Sequence, residues 1–324
     1  MILKVLGKLF FLYQMLADFF AVAFCVLVWG GTFVNTRSLL LDFSALEIMF
    51  IRFALAWTAL CGWMFLKDRE SVRWMGRWEL LFAAMGFSGV FAYQLLENCA
   101  IYYTNASNVA ILVSIGPIVT ALFARLFLKD KALSLNVIIG SLLAICGAAV
   151  VSLNGVFKLA VHPLGDLMAL GGMLCWGVYS ILIVKANKCG LSAIAATRKA
   201  FGWAIVMMLP VMVWGATESG FYALDGSFSV CTDFELNVER FSRPLNCVNL
   251  CFLGLCASAL AFVFWSKACA ELGVVKTTIC LYLEPIIAVV FAVLFLGETV
   301  SLMSIIGGAV IAFGVYVANR SVRK

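Results

Sequence analysis

Ten long apolar runs follow one another along the chain, and each has the length of a membrane-spanning helix. A helix needs about 20 apolar residues to cross a bilayer. The runs cover residues 19–41, 45–66, 79–101, 105–128, 134–153, 164–187, 192–215, 247–270, 274–296 and 300–318. Only helices and closed barrels satisfy their backbone hydrogen bonds in lipid, and the alternating segments of a barrel are absent. The pattern predicts an all-α integral membrane protein with ten transmembrane helices.

A repeat relates the two halves of the chain. Pro285 follows Pro117 by 168 positions, and Trp176 follows Trp29 by 147. The polar loop 216–246 accounts for the step of 21 positions between these offsets. Each copy holds five spans, so the second copy enters the membrane from the opposite side, which predicts two inverted five-helix repeats. Inverted repeats around a midplane site are typical of secondary transporters.

The basic residues orient the bundle. With the N-terminus inside, fifteen of the 23 lysines and arginines lie on the cytoplasmic side and four on the other. This excess predicts that both termini are cytoplasmic, and we expect a multi-pass protein of the inner (plasma) membrane. Arg125, Arg198 and Lys199, near the cytoplasmic ends of their spans, are expected to extend to the interface. The predicted segments are a cytoplasmic N-terminal segment (1–18), a first repeat (19–153), a second repeat (164–318) with the external loop 216–246, and a basic tail (319–324).

Composition narrows the chemistry. Hydrophobic residues make up 64% of the chain and charged residues 12%, which excludes a soluble domain. The single histidine, His162, argues against a histidine metal site or a Ser-His-Asp triad. We therefore expect no catalytic residue, metal, cofactor or nucleic-acid partner, and a small-molecule substrate and the lipid bilayer as partners. Cys231 of the external loop and Cys247 at its membrane edge are either free thiols or a disulfide.

Several short motifs, in order and partly repeated, resemble the EamA-type branch of the drug/metabolite transporter superfamily. They are Trp29-Gly30-Gly31-Thr32-Phe33, Arg52-Phe53, Thr104-Asn105-Ala106-Ser107, Gly116-Pro117, Leu283-Glu284-Pro285 and Leu296-Gly297-Glu298. The resemblance implies ten helices in two inverted five-helix repeats, with a central cavity lined by helices 1–4 and 6–9. It also implies transport of amino acids, metabolites or drugs, often outward. The sequence departs from the family pattern at Lys129-Asp130, where a glycine is lost, and at the polar pair Glu97-Asn98.

Polar residues inside the spans are the candidates for substrate contact, because such side chains usually face the interior of a bundle. Gln94, Glu97 and Asn98 share one face of the third span, with Tyr93 one turn earlier. The alternative is a structural hydrogen-bond cluster. Arg52 of the second span has the geometry to clamp a carboxylate, but it could equally pair with Glu97 or cap carbonyls.

Glu284 lies near the middle of the ninth span, directly before Pro285. Proline leaves carbonyl groups unpaired and favours a kink, and Pro117 occupies the equivalent position in the fourth span. We assign Glu284, Pro117 and Pro285 to coupling or gating. Two interpretations of Glu284 remain open, namely a protonatable coupling group and a structural or gating carboxyl.

Aromatic side chains supply candidate walls for a small-molecule cavity. The aromatic candidates are Trp29, Trp176, Tyr179, Phe262, Trp265 and Tyr282. Asn35 and Asn108 are further inward polar candidates. Glycines in spans five and ten, including Gly140 and Gly314, indicate scaffold helices or the face of a homodimer, so the chain is either a monomer or a homodimer.

The sequence favours a secondary transporter, not driven by ATP, that exports small metabolites or amino acids by alternating access about a central cavity. One alternative is efflux of multiple drugs or cationic compounds. Another is an integral-membrane enzyme acting on lipids, which would need a clustered nucleophile, base or metal site that the sequence does not offer.

Overall fold

The computed structural model describes residues 2–67, 73–104, 106–153, 162–215, 237–296 and 300–321. Within them, ten helices are long and apolar enough to cross a membrane, which confirms the predicted all-α class. Six of them run without interruption, namely α1 (Ile2–Leu39), α2 (Ala45–Lys67), α5 (Leu135–Leu153), α6 (Pro163–Ala186), α7 (Ala193–Gly215) and α10 (Leu302–Ser321).

Four helices consist of consecutive segments. α3 contains Trp78–Gly86, a π-helical segment Phe87–Ala92 and Tyr93–Tyr103, and α4 contains Ala106–Val113 and Gly116–Phe127. α8 contains Pro244–Cys251, a π-helical segment Phe252–Leu260 and Ala261–Glu271. α9 contains Val274–Ile279, a 3-10 segment Cys280–Leu283 and Glu284–Leu296. A 3-10 helix, Val238–Ser242, precedes α8.

Some predicted boundaries differ from the structure, and some predictions cannot be compared with it. α1 begins at Ile2, before the predicted span 19–41, and its membrane-length apolar part covers Leu16–Thr36. Cys231 lies outside the described residues, so the predicted alternatives for Cys231 and Cys247 stay predictions. Asn105 and Glu298, which carry part of the motif pattern, also lie outside them.

α5 and α10 show the inverted repeat directly. An added Cβ on Gly140 would lie 2.4 Å from the carbonyl oxygen of Gly314, and one on Gly147 would lie 2.7 Å from that of Gly307. The two helices are therefore antiparallel and in backbone contact. Gly140 is equivalent to Gly307 in the repeat and Gly147 to Gly314, so the repeat symmetry exchanges the two contacts. The small residues of the two helices serve this packing within one chain.

α3 and α8 are equivalent helices and share an irregularity that the sequence did not reveal. Each has a π-helical segment near its middle, at Phe87–Ala92 and at Phe252–Leu260. Each also has a glycine just before or within that segment, Gly86 in α3 and Gly254 in α8, that allows close packing. Gly86 approaches the backbone of α7, and Gly254 approaches the backbone of α2. Segments of π-helix inside α-helices are frequent at functional sites.

α4 and α9 are interrupted where the sequence predicts kinks. In α4 the backbone N–H groups of Ile118 and Val119 both donate to the carbonyl of Ile115, directly beside Pro117. In α9 the 3-10 segment ends at Leu283, and the last segment starts at Glu284. The breaks at Pro117 and Pro285 are thus present, while their role in gating stays a prediction.

Two ion-pair clusters connect helices at opposite faces of the bundle. We call the face at which α1 begins and α10 ends the terminal face, and the other the loop face. At the terminal face the ammonium group of Lys199 in α7 pairs with Glu79 at the start of α3, and both side chains are buried. The expectation that Lys199 extends to the interface is therefore wrong, because a buried carboxylate holds it inside.

At the loop face, Arg240 forms two hydrogen bonds with the carboxylate of Glu47 in α2, at 2.9 and 3.0 Å. Arg243 pairs with Asp42 at 2.9 Å. These contacts hold the 3-10 helix and the start of α8 against the start of α2. Under the repeat this is the counterpart of the contact between α3 and α7 at the terminal face.

Candidate functional site

The polar face predicted on α3 lies in the half of this helix that is nearer the loop face. Tyr93, Gln94, Glu97 and Asn98 all fall in the segment after the π-helical turn, and all four are half-buried. The Tyr93 hydroxyl lies within hydrogen-bonding reach of the Glu97 carboxylate. The π-helical turn contributes to this arrangement, because it changes the direction in which the following residues face.

Arg52 extends from α2 toward this polar face. Its Nε donates to the hydroxyl of Ser258 in α8 at 3.0 Å, and a terminal nitrogen donates to Oε1 of Gln94 at 3.4 Å. The guanidinium also lies 5.1 Å from the ring centre of Phe53. Arg52 forms no ion pair with Glu97 in the described parts of the chain, although the two charges lie near enough to interact. Arg52 therefore connects α2, α3 and α8.

Glu284 completes the group from α9. Its side chain is half-buried, and it lies near Glu97 and Tyr93 of α3 and Cys25 of α1. Among the described residues it forms neither an ion pair nor a side-chain hydrogen bond. The group thus contains one guanidinium and two carboxyl groups. An intramembrane acid without a cation partner usually belongs to a functional site.

Three tryptophans from α1, α6 and α8 form an aromatic cluster beside the polar group. The ring centres of Trp29 and Trp265 are 5.1 Å apart, those of Trp29 and Trp176 are 5.8 Å apart, and those of Trp176 and Trp265 are 5.9 Å apart. Tyr93 joins the cluster at 5.1 Å from Trp176, so the polar and the aromatic surfaces meet. Phe262 and Tyr179 lie buried behind the tryptophans, 6.0 Å apart.

The indole N–H groups differ in their partners. Trp29 Nε1 donates to the carbonyl of Ala257 at 2.9 Å. The N–H groups of Trp176 and Trp265 are buried and have no hydrogen-bond partner in the described structure. Buried donors are normally satisfied, so these two N–H groups each lack an acceptor that a water molecule or a bound solute would have to supply.

Three other predicted site residues lie in separate contacts. Asn35 donates to the side chain of Asn249 at 2.8 Å near the loop face, and Asn108 donates to Thr104 at 3.1 Å. Tyr282 is buried, and its hydroxyl faces α5 near Ser141. The structure does not bring these three residues into the group of Arg52, Glu97 and Glu284. A substrate contact for them stays a prediction.

Sequence reasoning missed Ser258, which holds Arg52 in place. Ser258 is fully buried in the π-helical segment of α8. It stands in the run Cys256-Ala257-Ser258-Ala259, where a lone hydroxyl gives no signal among small residues.

Equivalent positions of the repeat show how the surfaces of α3 and α8 in this group differ. Glu97 and Trp265 are equivalent positions, as are Gln94 and Phe262, each pair 168 positions apart. The same fold position is therefore polar in the first copy and aromatic in the second. The group is consequently amphipathic, with polar side chains on α3 and aromatic rings on α8.

Comparison with known proteins agrees with the fold. The model of the "EamA-like transporter family" matches residues 15–153 and again residues 163–320. A solved crystal structure superimposes with a TM-score of 0.71 at 16% sequence identity, covering 94% of this chain and 97% of that one. At this identity the likeness concerns the fold alone.

Two curated relatives are informative. A probable terminal-alkyne amino-acid exporter of Streptantibioticus cattleyicolor is 29% identical over 242 residues, which is 74% of this chain and 73% of that protein. An uncharacterized transporter of Archaeoglobus fulgidus is 24% identical over 92% of this chain and 96% of its own length.

Proposed function

Because the chain belongs to the EamA-like transporter family, we propose that it is a secondary transporter that exports small amino-acid-like metabolites by alternating access. The observation that carries this proposal is the amphipathic group at the centre of the bundle. There the polar face of α3, with Arg52 and Glu284, meets the tryptophan cluster. The inverted repeats supply two equivalent halves whose conformations can be exchanged.

The chemistry of the group fits a zwitterion with an apolar side chain. Arg52 still has guanidinium donors beyond those given to Ser258 and Gln94, and a carboxylate is their natural acceptor. Glu284 and Glu97 offer oxygens to an ammonium group. The tryptophan rings suit an apolar or unsaturated side chain. The probable amino-acid exporter among the relatives supports the same substrate class.

We propose further that the terminal face is cytoplasmic and that the protein lies in the plasma membrane. The excess of lysine and arginine on that face supports this orientation. Transporters among the relatives, together with the family, favour transport over lipid-modifying enzymology.

Counterflow in proteoliposomes tests the function. Vesicles with the purified protein are loaded with unlabelled propargylglycine, leucine or lysine, and uptake of the labelled compound is followed. We expect uptake with at least one of the neutral amino acids. Glu97→Gln removes a charged acceptor from the site, which should lower the rate about tenfold or more. Glu271→Gln, an exposed acid at the end of α8, is the control. Equal rates in Glu97→Gln and wild type contradict the site.

A second candidate, efflux of cationic compounds, is favoured by one specific observation. The two carboxyl groups outnumber the single guanidinium, and rings beside carboxylates attract cations. Ethidium added to the same counterflow panel separates the two candidates. Transport of ethidium, together with no transport of any amino acid, supports efflux of cationic compounds.

A further inference from the structure

We propose that Ser258 is a positioning residue of the site and that, by orienting Arg52, it makes the transporter select solutes that carry a free carboxylate. This inference rests on the proposed transport function. It names the chemical group that the site recognises and a residue, outside the predicted set, on which that recognition depends.

The guanidinium of Arg52 is held on two sides by neutral acceptors. Its Nε donates to the hydroxyl of Ser258 at 3.0 Å, and its Nη1 donates to Oε1 of Gln94 at 3.4 Å. Of the five N–H donors of an arginine, two are thus used, and the other three have no acceptor among the described residues. The two neutral acceptors orient the guanidinium and leave its charge uncompensated. Carboxylates accept parallel hydrogen bonds from such a fork, so the free donors fit the carboxylate of a solute.

The repeat supplies a comparison for this cation. Lys199 of α7 follows Arg52 of α2 by 147 positions and is its equivalent. The ammonium group of Lys199 pairs with Glu79 of α3, and both side chains are buried. Arg52 is buried too, but in the described parts of the chain it bonds to no carboxylate, and Glu97 lies near it without a hydrogen bond. Because a buried cation without a bonded acid is costly, the carboxylate of a solute would take at Arg52 the place that Glu79 takes at Lys199.

The hydroxyl of Ser258 is used differently from those of comparable serines. Ser88 lies in the equivalent π-helical segment of α3, and its hydroxyl donates to the carbonyl of Ala84 in its own helix at 2.7 Å. Ser180 of α6 donates in the same way to Trp176 at 2.9 Å. Ser258 is fully buried, and its oxygen accepts a hydrogen bond from another helix. The π-helical segment alone therefore does not determine this contact.

The close approach of α2 and α8 does not depend on this hydroxyl. Gly254, one turn before Ser258, lets the two helices meet, since an added Cβ there would lie 2.8 Å from Leu55 and 3.1 Å from the carbonyl oxygen of Arg52. What the hydroxyl adds to this packing is the hydrogen bond that directs the guanidinium. Its removal should therefore change the orientation of Arg52 more than the contact between the helices.

Counterflow with two matched solutes tests the inference. Propargylglycine has a carboxylate, whereas propargylglycinamide has a neutral amide in its place, and both are measured at a pH at which each carries an ammonium group. For wild type we expect a lower KM for the acid. Ser258→Ala should raise the KM of propargylglycine about tenfold with little change in the maximal rate, because a hydrogen bond to a charged group is lost. The KM of the amide should not change.

Three further variants separate positioning from folding. Ser258→Thr keeps the hydroxyl and should restore the KM of propargylglycine. Ser88→Ala removes a buried serine from the equivalent π-helical segment and should behave as wild type. Arg52→Lys keeps the charge but loses the fork, so it should raise this KM by itself. The double variant Arg52→Lys/Ser258→Ala should be no worse than Arg52→Lys, because Ser258 acts through Arg52.

The outcomes distinguish this inference from the proposed function. An unchanged preference for the acid in Ser258→Ala overturns the inference, and so does an equal loss for acid and amide. Both results leave the transport function intact. If wild type transports ethidium and no amino acid, the proposed function fails and the carboxylate selection fails with it.

A measurement without substrate tests the contact itself. In a double-mutant cycle on thermal unfolding, Ser258→Ala and Arg52→Leu should shift the midpoint non-additively, because the two side chains share one interaction. Additive shifts would mean that Ser258 does not hold Arg52, which overturns the inference.

Discussion

Ion pairs join α3 to α7 at the terminal face and α2 to α8 at the loop face. These two helix pairs are equivalent in the repeat, but the side chains that join them differ. At the terminal face Lys199 and Glu79 are 7% and 6% exposed, and the indole of Trp203 donates to the same carboxylate at 3.1 Å. At the loop face a buried pair, Arg240–Glu47 with side chains 12% and 4% exposed, lies beside an outer pair in which Arg243 is 69% exposed. The inverted repeat determines which helices meet, because the backbone positions recur. The residues that make the two contacts are not equivalent in the repeat, because Lys199 corresponds to Arg52, and Arg240 and Arg243 lie in the loop 216–246.

This difference has an energetic consequence. A buried ion pair depends on both partners, because removal of one leaves an uncompensated charge in a medium of low polarity. An exposed pair is screened by water and contributes little. We therefore expect loss of the buried Lys199–Glu79 pair to be costly and loss of the exposed Arg243–Asp42 pair to cost little. Three experiments follow, in order of decreasing expected effect.

The largest effect is expected for Lys199→Met. This substitution leaves the Glu79 carboxylate buried without its cation, which should destabilise the protein by about 3–5 kcal/mol. Denaturation in detergent micelles measures the loss. The double variant Lys199→Met/Glu79→Met removes both charges and should recover much of it, since the two residues share one interaction. If Lys199→Met is as stable as wild type, the ion pair of Lys199 and Glu79 is not shielded from water.

A smaller effect is expected for alanine at the two glycines that let α3 and α8 approach their neighbours. A Cβ on Gly86 would lie 2.3 Å from the backbone carbonyl of Ala200, whereas one on Gly254 would first meet the side chain of Leu55 at 2.8 Å. Neither contact can rotate away, since the Leu55 atom is its Cβ and the carbonyl oxygen of Arg52 lies 3.1 Å from the same point, but the overlap at Gly86 is the deeper one. We therefore expect Gly86→Ala to cost more than Gly254→Ala, within about 1–3 kcal/mol for overpacking.

The same denaturation measurement checks this order. Gly62→Ala in α2 is the matched control, because nothing lies within 4 Å of an added Cβ there. It should be neutral or slightly stabilising, since alanine is the better helix former. Equal costs for Gly86→Ala and Gly254→Ala would contradict the interpretation that the closer approach of α7 makes Gly86 the less tolerant position.

The smallest effect concerns acid at the loop face. The side-chain hydrogen bond from Asn246, assisted by Arg243 and Arg240, holds the pKa of Asp42 below its usual value. A depressed pKa means that Asp42 stabilises the folded state above its ordinary pKa, near 3.9, and that this contribution is lost as pH falls through the lowered value. The loop-face contact should therefore loosen only in strongly acidic solution.

Hydrogen exchange of residues 238–251 as a function of pH measures this loosening. Asn246→Ala removes the main cause of the depressed pKa, so the transition should move to higher pH. A transition at the same pH in both proteins would show that Asn246 does not stabilise the Asp42 carboxylate.

Much of the fold follows from the sequence because it rests on repeated signals. Ten apolar runs predict the helices, and Pro117 and Pro285 predict the two broken ones. The π-helical segments of α3 and α8 contain no proline, and nothing in their residue types distinguishes them from ordinary helix. They arise from packing between helices, which a single sequence does not display.

The site is only partly predictable for the same reason. Glu97 and Glu284 stand out because acids are rare in apolar spans. Ser258 does not stand out, since a serine among alanines fits any close helix contact. The burial of Lys199 was not predicted, because its partner, Glu79, is distant in sequence. A polar residue in an apolar span indicates that it needs a hydrogen-bond or ion-pair partner, but only the packed structure shows which residue that partner is.

The reciprocal contacts of α5 and α10 have a consequence for the origin of the chain. Because Gly140 meets Gly314 while Gly147 meets Gly307, each of the two helices presents the same patch to the other. Such a surface is isologous, the kind that two identical subunits use to form a twofold dimer. A single ancestral half would have carried everything needed to bind its own copy in the opposite orientation. In this chain the same reciprocal contact joins two halves of one polypeptide.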